Sequence, residues 1–161
     1  MNILLETILI VLLLLVFIQD MKYRAIHVLL PLGIIIIGFV FFLRETYAIV
    51  FLWHNFLFLI LTCAGLYVYL LLKFKEFVNP FKSIGLGDFL FFIAVLPYFS
   101  TSNYILYFIT GMFFSIFSFL IIKTIKKTNL VPLAGLLALY MCILRLVVYV
   151  TNFDFYKTKF I

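Results

Sequence analysis

Six long apolar stretches separated by short polar connections leave this chain almost no freedom of fold class. They run roughly from Ile3 to Ile18, Val28 to Leu43, Tyr47 to Leu72, Leu86 to Phe99, Tyr104 to Ile122 and Leu130 to Val150. A lipid-crossing segment must satisfy its own backbone hydrogen bonds, and about 20 apolar residues in a helix do so across a bilayer. The pattern therefore predicts an all-α, polytopic membrane protein, a six-transmembrane-helix bundle forming one unit over residues 1–161. The first, second and fourth stretches are short and need extension by flanking residues or local bilayer thinning. With 68% hydrophobic and 11% charged residues, a soluble domain is excluded. Trp53, His54 and Asn55 read as an interfacial anchor that starts the third helix near Trp53 instead of Tyr47.

The net charge of +6 lies in clusters between apolar runs, which argues for topology and against nucleic-acid binding. Lys22, Arg24, Lys73, Lys75, Lys82, Lys123, Lys126 and Lys127 fall in the odd-numbered connections; Arg44, Lys157 and Lys159 fall on the opposite side. The positive-inside rule then places the odd-numbered connections in the cytoplasm and both termini outside a cell or inner membrane. The N-terminal stretch has Glu6 where a signal peptide carries basic residues, and it reads as a retained span. Asn79-Pro80 breaks any helix in the third connection. Cys63 and Cys142 form no metal-ligand spacing with each other or with histidine and read as packing residues. Gly111 with Ser115, and Ala134 with Ala138, have the four-residue spacing that permits close helix crossings.

Four of the six acids, Glu6, Glu45, Glu76 and Asp154, read as solvated or interfacial charges. Arg145, in the sixth stretch, either snorkels outward or pairs with Glu6. Asp20 and Asp88 differ from the other acids. One closes the first span and the other opens the fourth, so both fall at the same cytoplasmic boundary. If those spans are neighbours, two carboxylates face each other, one holding a proton and the other charged, which is the requirement for activating a water against a peptide carbonyl. Such a pair needs no metal and no cofactor. Gly85 and Gly87, just before Asp88, offer a backbone that a substrate strand can approach and a turn with access to unusual dihedrals. The helix start at Asp88 favours its charged form.

Gly85-Leu86-Gly87-Asp88 resembles the GxGD signature of intramembrane aspartyl proteases. Asp20-Met21-Lys22-Tyr23-Arg24-Ala25-Ile26 resembles the first-aspartate motif of type IV prepilin peptidases. Val131-Pro132-Leu133-Ala134-Gly135-Leu136-Leu137-Ala138 is similar to the segment opening the last helix of that family. The resemblance spans nearly the whole chain. It implies an aspartic endopeptidase that removes the basic leader of prepilin or pseudopilin precursors at the cytoplasmic face. Asp20 and Asp88 would be catalytic, and Gly85, Gly87, Lys22, Arg24 and Pro132 would shape the site. Partners would be the prepilin-like substrate and the lipid bilayer, with a homodimer left open.

The chain departs from the family at His27, where a proline is usual, and at Leu90, where a lysine is frequent. It has no CxxC-bearing cytoplasmic region, which aligns it with short, peptidase-only members. Two other readings compete. One is a non-proteolytic bundle, a transporter or assembly subunit, with its acids paired to Lys22 or Lys82. The other is a presenilin or signal-peptide-peptidase-like protease, whose tyrosine and PAL motif Gln19 and Pro132-Leu133-Ala134 do not reproduce.

Overall fold

A computed structural model describes residues 3–43, 48–74, 85–125 and 131–151. Those residues form six α-helices and no strand: α1 (Ile3–Tyr23), α2 (Leu29–Phe42), α3 (Ala48–Phe74), α4 (Leu86–Val95), α5 (Thr101–Ile125) and α6 (Leu133–Thr151). A 3₁₀ turn, Leu96–Tyr98, continues α4. The all-α membrane bundle predicted from the apolar runs is the observed fold. Side chains that are apolar on every face suit helices whose surroundings are lipid on one side and protein on the other.

Among the described residues, three helices are long and apolar enough to cross a membrane: Ile3–Tyr23, Ile49–Lys73 and Thr101–Thr124. The first stretch reaches that length by the extension into flanking residues that its short apolar run requires. Its helix continues through Gln19-Asp20-Met21-Lys22-Tyr23 for 21 residues, about 31 Å of rise. The second and fourth do remain short, at 14 and 10 residues. The third helix begins at Ala48, ahead of the interfacial start expected near Trp53.

The core sits where α1 lies along α6, with α2 against α1 and α4, and α5 against the other side of α6. α1 presents Glu6, Leu9, Leu13, Val16 and Asp20 to the interior, a 3-4 repeat that forms one continuous seam. Glu6 is thus buried, not solvated as its sequence position suggested. Its carboxylate lies 3.5 Å from the Arg145 guanidinium, with both side chains nearly enclosed. This settles Arg145 as a partner of Glu6. Its guanidinium also stacks 5.1 Å from the Tyr98 ring and 5.7 Å from the Phe41 ring. Glu45, Glu76, Asp154 and the Asn79-Pro80 break lie outside the described residues, as do Arg44, Lys75, Lys82, Lys126, Lys127, Lys157 and Lys159.

α3 joins the bundle mainly through α5 and the 3₁₀ turn. Phe58 packs edge-on against Tyr104 and Phe108. Asn55, expected at an interface, is fully buried and donates to the carbonyls of Leu96 and Phe99 at 3.1 and 2.9 Å. Those carbonyls lie where α4 breaks into the 3₁₀ turn, and a side-chain amide there replaces helical partners that lipid cannot supply. Gly38 makes room for the same turn: a Cβ there would fall 2.6 Å from Pro97 and 2.7 Å from Tyr98. Gly111 does likewise for the α5–α6 crossing, where a Cβ would meet Leu137 at 2.8 Å.

Candidate active site

Asp20 sits in the last full turn of α1. The helix ends because Arg24 takes a left-handed conformation, φ 55°, and its N–H closes back on the Asp20 carbonyl at 3.0 Å. Left-handed backbone costs a non-glycine residue about 1 kcal/mol, so packing elsewhere enforces this turn. The turn carries Ile26 back over the start of α4. There the Ile26 side chain lies 3.3 Å from where a Cβ on Gly87 would be. Gly87 is small because Ile26 fills its space.

Gly85 corrects another expectation. Its dihedrals, φ −59° and ψ 131°, are open to any residue, and no described glycine has a positive φ. It stands at the N-cap of α4, and its carbonyl accepts from the Asp88 and Phe89 N–H groups at 3.0 and 3.2 Å. What its missing side chain provides is room, since a Cβ would fall 2.9 Å from Asp88 Oδ2.

The two aspartates meet on the first turn of α6. Ala134 N–H donates to Asp88 Oδ1 at 2.8 Å, and Gly135 N–H donates to Asp20 Oδ2 at 2.7 Å. The first amides of a helix have no partner within it, and their dipoles favour negative charge. Consecutive orphan amides thus hold one oxygen of each carboxylate and leave each with a second. Pro132 precedes this turn and is buried; its carbonyl accepts the Leu136 N–H at 3.1 Å. The two spans carrying the aspartates do not need to be direct neighbours, because α6 packs against both and bridges them.

Both aspartates border one cavity of about 1040 Å³. Arg24, Gly85 and Gly87 line it with them. Beyond them the wall is mostly apolar, formed by Leu59, Thr62, Cys63 and Leu66 of α3, Phe89 and Phe92 of α4, and Phe108 and Met112 of α5. Asp20 lies within electrostatic range of both Asp88 and Arg24. Asp20 is buried, whereas Asp88 is half-buried and faces the cavity.

Of the other residues that sequence pointed to, Lys22 is exposed, with its Nζ over the Tyr23 ring at 5.0 Å, and does not line the cavity. His27 is also exposed; its backbone N–H donates to Gln19 Oε1 at 2.9 Å and its Nδ1 accepts from Leu29 N–H at 3.4 Å. Cys63 and Cys142 are free thiols, the first in the cavity wall. Among the described residues, no three His, Cys, Asp or Glu side chains come together as a metal-binding group.

Sequence reasoning missed the amides of Ala134 and Gly135 as the groups that hold the two carboxylates. The available signal was Pro132, which starts a helix and so leaves the following N–H groups free. No protein-family model matches the chain, and no curated protein or solved structure matches it.

Proposed function

We propose that this protein is a membrane aspartic endopeptidase that removes the basic leader from type IV prepilin-like precursors. One observation carries the reading: Asp20 and Asp88, 68 positions apart in the chain, are brought onto consecutive amides of α6 at the edge of one cavity. Two carboxyl groups so placed share a proton, because ionising both at close range is unfavourable. The ionised one accepts a proton from a water as the water oxygen attacks the scissile carbonyl carbon. The protonated one donates to the carbonyl oxygen, giving a neutral gem-diol. Collapse of the gem-diol breaks the C–N bond: the protonated carboxyl gives its proton to the departing nitrogen while the ionised one takes a proton from a gem-diol hydroxyl, so the dyad again holds one shared proton.

The cavity is suited to such a substrate. Its polar edge takes the peptide to be cut, while the apolar wall of α3, α4 and α5 accommodates the hydrophobic segment that follows a leader. The charge distribution of the connections supports a cytoplasmic site with both termini outside.

Co-expression with a candidate prepilin tests the reading, with loss of the leader followed on a gel. Cleavage by the parental chain but not by Asp88→Asn is expected. An uncut precursor across a panel of prepilins, with the protein present in the membrane, would overturn the substrate assignment. Orientation is tested by a single cysteine at Ser83 or Ser102 in a variant lacking Cys63 and Cys142. A membrane-impermeant maleimide added outside is expected to mark only position 102.

A further inference from the structure

α1 and α6 run antiparallel and share the seam on which the dyad depends. On α1 the interior positions are Glu6, Leu9, Leu13, Val16 and Asp20, spaced three and four apart. On α6 a matching 3-4 series runs through Gly135, Ala138, Cys142 and Arg145. The middle of the seam sets Leu9, Leu13 and Val16 of α1 along Ala138 and Cys142 of α6, and apart from the weak thiol contact its attraction is non-directional, so it specifies register less sharply than the charged and hydrogen-bonded ends. Both ends of the α1 seam are acids, and α6 answers each of them. Gly135 N–H meets Asp20 at one end and Arg145 meets Glu6 at the other, with the Cys142 thiol 3.9 Å from the Ile10 carbonyl between them.

We propose that Glu6 and Arg145 are positioning residues for the aspartate pair, the second fixed point that sets the register of α1 on α6. The proposal rests on Asp20 and Asp88 being the working pair. A polar group in a heptad seam is well suited to fixing register, at a cost in stability. A buried ion pair is weak evidence for stability, and specification of geometry is its better-attested use. Asp20 is sensitive to register because the fit at Gly135 is close. A Cβ there would lie 3.0 Å from Asp20 Cβ and 3.3 Å from the Phe17 carbonyl. Sliding α6 by one residue, about 1.5 Å, would present a residue with a side chain to Asp20 and part the 2.7 Å hydrogen bond. The Arg145 guanidinium lies against Phe41 and Tyr98, so the α1–α6 register is also tied to α2 and to the end of α4.

The test uses the full chain in lipid nanodiscs with ¹⁵N-labelled glycine. The chain has seven glycines, and the Gly135 amide signal is identified by its disappearance in Gly135→Ala. A short bond to a carboxylate moves that amide proton downfield in the parental protein. In the neutral pair Glu6→Leu/Arg145→Leu the helices remain inserted, but the Gly135 signal is expected to move upfield or split. Prepilin cleavage should show kcat reduced about a hundredfold with KM little changed, the scale of a misplacement near 1 Å. Arg145→Lys, which keeps the charge on a differently shaped side chain, should displace the signal part of the way.

An unmoved Gly135 signal in the folded neutral pair overturns the proposal. If that pair does not fold, an unmoved signal in Arg145→Lys overturns it equally. The signal is read without any substrate. A displaced signal in a protein whose parental form cuts no precursor would leave the positioning role standing and remove only the protease reading.

Discussion

Gly135 approaches Asp20 so closely that a methyl group on its α-carbon would stand 3.0 Å from both Cβ and Oδ2 of the aspartate. Gly135→Ala must therefore either push α6 away from α1 or turn Asp20 off its amide. We expect cleavage to fall at least tenfold, since displacement of a reacting group by about 1 Å is costly. Gly65→Ala is the matched control, because a Cβ at Gly65 meets nothing within 4 Å. The same added methyl there should leave the rate of leader removal unchanged. Equal rates for the two variants would show that the Asp20–Gly135 contact is dispensable.

Asp20→Asn and Asp88→Asn should each abolish cleavage, by about 10⁴-fold, with the bundle still inserted and helical by circular dichroism. An amide can neither take a proton from water nor exchange roles with its partner. The double variant should be no worse than either single one, as expected of the proposed dyad acting as a unit. Near-parental activity in Asp20→Asn would leave Asp88 as an ordinary first-turn acid of α4.

Cleavage rate against pH should be bell-shaped. On the acid side both carboxyls are protonated and no base remains to activate water; on the alkaline side both are ionised and no acid remains to donate to the carbonyl oxygen. The two limbs belong to the pair and not to either residue. Initial rates with a solubilised prepilin, measured over a pH series in which the protein stays folded, are expected to show the two limbs. A rate that only rises with pH would mean that a single ionised group suffices.

Asn55→Ala removes a fully buried side chain that donates to two carbonyls at the break in α4. Leaving buried acceptors without donors costs about 1–3 kcal/mol, so thermal unfolding in detergent should occur at a lower temperature. The aspartates lie away from this break, and residual activity per folded molecule should be near parental. Unchanged thermal stability would mean that other donors reach Leu96 and Phe99.

The apolar runs alone determined the class of fold, because lipid leaves helices as the only economical backbone for such segments. They also separated Asp20 and Asp88 from the remaining acids by placing both at one boundary. Other features were not legible, for identifiable reasons. Glu6 has the sequence surroundings of an interfacial charge, and only the approach of α6 buries it against Arg145. Asn55 stands beside Trp53 and His54 like an anchor, yet its partners are carbonyls more than 40 residues away. Gly85 and Gly87 suggested backbone freedom, whereas their dihedrals are ordinary and what matters is the space they leave for Asp88 and Ile26. Local pattern records where a residue lies along a helix and how polar it is. It does not record which distant backbone group will come within 3 Å, and the pairing of Asp20 and Asp88 on the amides of Gly135 and Ala134 is a property of that kind. Tertiary packing decided it, because the free N–H groups at a helix start take whichever acceptors the surrounding helices bring to them.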